Sequence, residues 1–168
     1  RVVPLPGPCA AIVALSAAGL VGAHFLFYGF LPTKAGQRAE ALRQLAHLPY
    51  ALIFYEAPHR IVESIAALAT VFGPDRTVVL ARELTKLFES IHSCRLGDAE
   101  AWLLGNADRR RGEFVLLVSG APPVAESGEA ERVLRLLLDE GLPLSQATRL
   151  AHAISGVSRK ALYQVALA

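Results

Sequence analysis

The sequence predicts an α/β fold followed by a small helical domain, and three observations carry that prediction. Short continuous apolar runs, Ala51 to Tyr55 and Thr77 to Ala81 among them, have the length and composition of strands buried on both faces. The stretches between them place apolar residues at helical spacing, so strand and helix alternate as in a layered sheet. At Gly120 to Gly128, rich in Gly, Pro and Ala, the alternation stops, and only helical segments follow. The resulting boundaries are 1–120 for the α/β part, 121–128 for a linker and 129–168 for the helical part.

Taken in order, Arg1 to Pro6 reads as the end of a strand entering a proline-rich turn. Cys9 to Leu20 has the small residues of a tightly packed helix, with Pro8 in its first turn and backbone N–H groups free there. His24 to Leu31 is an aromatic strand. Lys34 to Leu48 is an amphipathic helix, since Ala35, Ala39, Leu42, Leu45 and Ala46 share one face. After the central strand Ala51 to Tyr55, Pro58 opens a helix whose apolar face is Ile61, Ile65, Leu68, Ala69 and Phe72, stopped by Gly73-Pro74. Thr77 to Ala81 is buried strand, Glu89 to Leu96 a more polar one, Asp98 to Leu104 a short helix and Glu113 to Ser119 the last strand, giving about five strands. Beyond the linker come Glu129 to Glu140, Ser145 to Ile154 and Ser158 to Ala168. Serine N-caps the last two, and Ser155-Gly156-Val157 turns between them, the outline of a helix-turn-helix.

Composition sets the bounds. Hydrophobic residues make up 53% of the 168, enough for a sizeable core, and the net charge of +2 names no partner. The longest apolar run, Cys9 to Val21, contains Ser16 and Gly19 and is shorter than the roughly 20 residues a spanning helix needs, so no membrane association is expected. Two cysteines without metal spacing indicate neither a disulfide framework nor a metal site, and a reducing cytoplasm is the expected compartment. The chain starts at Arg1 and holds no methionine, so it reads as a piece of a longer polypeptide.

Three charged clusters adjoin strands: Glu56, His59 and Arg60 after the second, Arg82 to Lys86 after the third, and Arg109 to Arg111 before the last. Ligands of open α/β sheets bind where strands end, because loops converge there. Two such loops suggest a shared cleft, while ion pairs capping the sheet would account for any one of these residues alone. No nucleophile triad, P-loop or metal-ligand cluster is evident.

The stretches "RVVPLPGPCAAIVALSAAGL", "GFLPTKAGQRAEAL", "LIFYEAPHR", "VVLARELTK", "ESIH" and "RRRGEFVLLV", in that order, resemble the ribosomal RNA methyltransferase branch of the tetrapyrrole methylase superfamily. The closing "GVSRKALYQVAL" resembles that branch's appended helix-turn-helix domain. The resemblance implies S-adenosylmethionine-dependent methylation of the ribose 2′-hydroxyl of a cytidine in the decoding region of 16S rRNA, within the small ribosomal subunit. It also implies a homodimer, and a fold of two halves with the cofactor between them. This chain matches the second half, with a mixed sheet of about five strands flanked by helices, so the chain alone is expected to be inactive.

Carried over by position, Gly7, Pro8, Cys9 and Ala10 match the turn lying against the cofactor, and Tyr55, Ala81 and Arg82 match backbone near its adenine. Glu113 opens the last strand beside the same site. In-line displacement at a sulfonium methyl needs an aligned nucleophile and removal of a proton of high pKa. Glu83 is the first candidate acceptor and Glu56 the second, with Lys86 steadying the developing alkoxide. Lys34, Arg38, Arg60, Arg109, Arg110 and Arg111, with Arg159 and Lys160 in the terminal domain, are the candidate phosphate contacts. A corrin or porphyrin methylase, and a non-enzymatic RNA-binding or dimerisation module, are the rival readings.

Overall fold

The computed structural model describes every residue except Val21, Ala23, Pro123, Val124, Ala125, Leu167 and Ala168. It divides into two compact units, Arg1–Ala121 and Pro122–Ala168. Part of the predicted linker and the end of the predicted last helix lie outside the described residues.

The first unit runs α1 (Ala10–Ala17), β1 (Phe25–Phe30), α2 (Ala35–Leu45), β2 (Ala51–Glu56), α3 (Ile61–Phe72), β3 (Thr77–Arg82), β4 (Ser90–Arg95), α4 (Leu96–Leu104), a 3-10 turn at Ala107–Arg110, and β5 (Phe114–Val118). Five strands form one mixed sheet in the order β1-β2-β5-β3-β4. β1 and β2 are parallel, and β5 runs antiparallel to both its neighbours. The ends of β2 and β3 are therefore not adjacent, as the sequence suggested; β5 starts between them. One row of partners crosses the sheet there, with Glu56 opposite Phe114 and Phe114 opposite Arg82.

The continuous apolar runs resolve into two alternating sets. Leu52, Phe54, Val78, Leu80, Leu116 and Val118 pack with α2, α3 and α4 in one core. Ile53, Val79, Ala81, Val115 and Leu117 pack under α1 in a second core, where Ala11 and Ala14 of the helix and Ala18 at its C-cap are buried. Alanine suits α1 because side chains this short let a helix lie close on a sheet. Parity along β2 then sends Tyr55 toward the α1 face and Glu56 toward the three-helix face.

Several local expectations change. Residues 1–9 form no strand and are exposed, and Pro8 precedes α1, whose N-cap is Cys9. Pro58 sits in a turn closed by the Arg60 amide donating to the Ala57 carbonyl (3.0 Å), and α3 begins at Ile61. At the far edge Arg76 donates to the carbonyls of Ser119 and Ala46 (3.1 Å to the latter), with its guanidinium 4.4 Å over the Phe72 ring. Gly120 is needed where it lies, because a Cβ there would collide with the Pro49 carbonyl.

The second unit holds α5 (Glu126–Asp139), α6 (Leu144–Ser155) and α7 (Arg159–Ala166) around Ala130, Leu134, Ala147, Ala151 and Leu162. Ser145 falls inside the first turn of α6 and Pro143 is the N-cap. Gly156, at φ 75°, ends α6 in the left-handed conformation usual for a glycine at a helix end. Among the described residues no helix is long and apolar enough to cross a membrane.

Candidate functional site

A cleft of about 580 Å³ opens on the α1 face at the carboxyl ends of β2 and β3. Ala10, Tyr55, Ala81 and Val115 line it, with Phe30, Ala57, Pro58, Leu84 and Glu113 around its mouth and Glu56 and Phe114 at its edge. Its volume falls within the roughly 300–1,000 Å³ of small-molecule and cofactor sites. Of the cofactor-site expectations, Ala10, Tyr55, Ala81 and Glu113 meet in this cleft. Gly7, Pro8, Cys9 and Arg82 do not line it.

Tyr55 joins the two elements beneath the cleft. Its hydroxyl accepts the Ala11 amide (3.3 Å), and the Ile12 and Val13 amides go to the Cys9 carbonyl (3.1 and 3.0 Å), so the start of α1 offers fewer free donors than expected. Burial pushes the Tyr55 phenol above its usual pKa. The Ile12 and Ala11 amides face the exposed Cys9 thiol and hold its pKa down, although neither completes a cap hydrogen bond.

Glu56, the second candidate acceptor, is engaged elsewhere. Its side chain is buried on the opposite face, where Ser64 Oγ donates to Oε2 (2.5 Å), the Ala57 amide donates to Oε1 (2.9 Å), and Arg60 lies 3.5 Å away. Every carboxylate oxygen already has a donor. Arg60 in turn donates to the Leu31 and Pro32 carbonyls (2.8 and 3.3 Å), and Arg38, 5% exposed, reaches the Thr33 carbonyl and Glu63 (both 3.4 Å). These two arginines, both among the expected phosphate contacts, hold three successive carbonyls of the loop after β1. Lys34, at the N-cap of α2, stays exposed beside them.

Glu83, Lys86 and Glu113 do come together, although of the three only Glu113 lines the cleft. Glu83 Oε1 accepts the Glu113 amide (2.8 Å) and the Lys86 ammonium (2.9 Å), and Lys86 also donates to Glu113 Oε2 (2.9 Å). The backbone closes the same ring, with the Glu83 amide donating to the Glu113 carbonyl (3.0 Å). The Glu113 amide, with Lys86 behind it, pulls the Glu83 carboxyl below its ordinary pKa; Glu113 and then Glu83 raise that of Lys86. A carboxylate stabilised in its charged form is a weak proton acceptor, while the lysine is kept cationic.

The loop carrying this ring is strained. Glu83 (φ 52°) and Thr85 (φ 65°) are left-handed without being glycine, a conformation that costs about 1–2 kcal/mol per residue. Arg82 braces the loop by donating to Ser90 Oγ (3.1 Å), the Phe88 carbonyl (3.0 Å) and the Arg111 carbonyl (3.3 Å). Gly112, at φ 86°, lies where a Cβ would be 2.6 Å from Glu83 Oε1. Sequence reasoning missed Gly112, Ser64 and Phe88, whose roles depend on partners distant in the chain or on strand parity.

Within the arginine cluster the three residues differ. Arg109 folds back, donating to the Trp102 carbonyl (2.8 Å) with its guanidinium 4.6 Å over the indole, whose ring also stacks on His92 at 4.0 Å. Arg111 pairs with Asp108 (3.0 Å) at the exposed surface, and Arg110 is exposed. Arg159 and Lys160 begin α7 in the second unit, both exposed. Among the described residues no group of acidic, histidine or cysteine side chains could hold a metal ion.

Comparison with known proteins accounts for this arrangement. Residues 1–100 match the family model of the tetrapyrrole (corrin/porphyrin) methylases, and residues 124–168 match that of the RsmI C-terminal HTH domain. The chain is 53% identical to ribosomal RNA small subunit methyltransferase I of Pseudomonas aeruginosa, over 99% of this chain and 60% of that protein. It is 50% identical to the protein of the same name from Escherichia coli O157:H7, over 99% and 59%. The chain thus spans about 60% of the length of these curated relatives. Among solved structures, the methyltransferase CobJ aligns with a TM-score of 0.53 at 25% identity, over 69% of this chain and 49% of that one. The cobalt precorrin-4 methyltransferase CbiF gives 0.53 at 14%, over 68% and 50%, a likeness of fold. With its mixed five-stranded sheet, the cleft at the strand ends and a helix-turn-helix unit following in the sequence, the chain belongs to the tetrapyrrole (corrin/porphyrin) methylase family.

Proposed function

We propose that this chain is the cleft-bearing and helix-turn-helix part of an S-adenosylmethionine-dependent methyltransferase acting on ribosomal RNA. Its target is the ribose 2′-hydroxyl of a cytidine in the decoding region of 16S rRNA, in the small ribosomal subunit. The observation that carries the reading is the cleft of about 580 Å³, whose lining residue Glu113 holds a constrained lysine, in a chain half-identical to proteins named for small-subunit RNA methylation.

The cleft fits the cofactor: Ala10, Ala81 and Val115 leave its floor apolar and shallow enough for a flat ring, and Tyr55 and Ala57 bring polar atoms to its side. When bound, S-adenosylmethionine supplies a methyl group on an electrophilic sulfonium. Lys86, kept cationic by Glu113 and Glu83, steadies negative charge growing on the attacking ribose oxygen. Glu83 acts as a positioning residue, since its carboxylate is committed to the Glu113 amide and to Lys86. Glu113, whose exposed carboxylate binds Lys86 through Oε2 and takes no backbone amide as Glu83 does, is the better-placed proton acceptor. Lys34, Arg110 and Arg111, with Arg159 and Lys160, hold substrate phosphates. A ribosomal substrate puts the protein in the cytoplasm, and a homodimer is expected from the family resemblance.

The test is methyl transfer from labelled S-adenosylmethionine by the full-length protein to 30S particles and, in parallel, to a tetrapyrrole. Label in RNA, appearing at a 2′-hydroxyl and lost in Lys86→Ala, is the expected result. Label in the tetrapyrrole alone would favour the corrin or porphyrin reading that the likeness to CobJ keeps in view.

A further inference from the structure

Beside the main cleft, and separated from it by the Glu83–Glu113 ring, lies a second depression of about 250 Å³. Arg82, Glu83, Phe88, Asp108, Arg111 and Gly112 line it. The Phe88 ring is 67% exposed at the tip of the strained loop, next to Leu87 at 90%. This loop is not slack: its backbone is left-handed at Glu83 and Thr85, and the Arg82 guanidinium fixes the Phe88 carbonyl. Strain kept in place by such bracing concentrates at sites that need a side chain presented in one position.

We propose that this depression is a nucleobase subsite, which takes an unpaired base of the RNA flanking the target nucleotide and stacks it on Phe88. The chemistry of the walls suits a base better than an aliphatic protein surface. One aromatic face is offered together with the Arg111 guanidinium and the Asp108 carboxylate, whose mutual pair (3.0 Å) is solvent-exposed and therefore weak enough to exchange for ligand contacts. The volume is below that of the main cleft, too small for a whole cofactor and suited to a single ring system. Because Glu83 belongs to both the subsite wall and the ring holding Lys86, a base seated on Phe88 would set the neighbouring ribose toward that ring. The inference rests on the RNA reading above and adds a recognition element to it.

Stacking of one base on an aromatic side chain corresponds to roughly 5- to 100-fold in affinity. The experiment measures binding of the full chain to a labelled single-stranded oligoribonucleotide and to a ribose-phosphate oligomer of equal length without bases. Phe88→Ala and Phe88→Leu should weaken binding to the oligoribonucleotide by that factor, and Phe88→Trp should retain it, with indole emission quenched on binding. Binding to the baseless oligomer should be equal in all four proteins. If Phe88→Ala and Phe88→Leu bind the oligoribonucleotide like wild type while Arg110→Ala weakens it, the subsite is wrong and the RNA reading survives. If the wild type shows no salt-dependent binding to either ligand, both fall. Because Phe88 is exposed, unchanged circular dichroism of the variants is expected and separates lost stacking from lost folding.

Discussion

Replacing Gly112 by alanine probes the ring at the cleft mouth through backbone geometry alone. Gly112 has φ 86°, where an L side chain costs about 1–2 kcal/mol. The new Cβ would stand 2.5 Å from Glu83 Cδ and 2.6 Å from Oε1, closer than carbon is ever found to either. Glu83 must then swing away, giving up the Glu113 amide and the Lys86 ammonium together. The backbone strain alone, spread over a unit of about 120 residues, should lower the melting temperature by roughly 3–10 °C. Calorimetry of wild type, Gly112→Ala, Glu83→Ala and the double variant measures both effects. Since Glu83→Ala removes the atoms that collide, the double variant should lose less than the sum of the singles. A Gly112→Ala protein that melts like wild type would refute the argument, and strict additivity would show that the collision with Glu83 is not what Gly112 avoids.

Ser64→Ala should destabilise by about 1–3 kcal/mol, because it strips one donor from a buried carboxylate; urea unfolding measures this, and a change under 0.5 kcal/mol would contradict the assigned role. The pH dependence has a definite sign. Glu83 is held below its ordinary 4.5, so its contribution is complete above that value and is lost as pH falls through the lowered pKa. Lys86 is held above 10.5, so its contribution is complete below that and is lost as pH rises through the raised one. Melting curves of wild type and Glu83→Gln should therefore converge in acid and diverge near neutrality, while a constant gap would mean that the ring does not couple to folding. In α2, Gly36→Ala meets nothing within 4 Å and should stabilise by about 0.5–1 kcal/mol, a control that alanine at a compatible glycine is benign.

The three inner strands β2, β5 and β3 were legible because burial on both faces leaves continuous apolar runs, whereas the edge strands β1 and β4 are partly exposed and were read from aromatic and polar stretches. The same continuity hid the detail that mattered for chemistry. A run with no polar alternation carries no parity signal, so nothing in "LIFYE" says whether Tyr55 or Glu56 faces the cleft; the register with β5 and the helices decides it. Arg38 could have been read better, since it sits one and two turns before Leu42 and Leu45 on the buried side of α2. Strand order was out of reach: that β5 enters antiparallel between β2 and β3 depends on how Glu113 to Val118 pairs with segments more than 30 residues away.

That antiparallel entry is what makes a site of these strand ends. Two parallel strands side by side would each release a loop outward, and their charged residues would pair locally. Instead β5 arrives between them carrying a free amide at Glu113, which the carboxylate at the end of β3 reaches across the gap, and the lysine three residues on closes the ring to the Glu113 side chain. Each link is an exposed contact that would contribute little alone. Joined through a strained backbone at Glu83 and a glycine that leaves room for its carboxylate, they hold the Lys86 ammonium between two carboxylates, one of them on Glu113 of the cleft lining. The charge that follows the apolar strands thus has two destinations: Arg60, paired with Glu56, holds the loop after β1 in place, and Lys86, which follows β3 on the far side of β5, is held between Glu83 and Glu113.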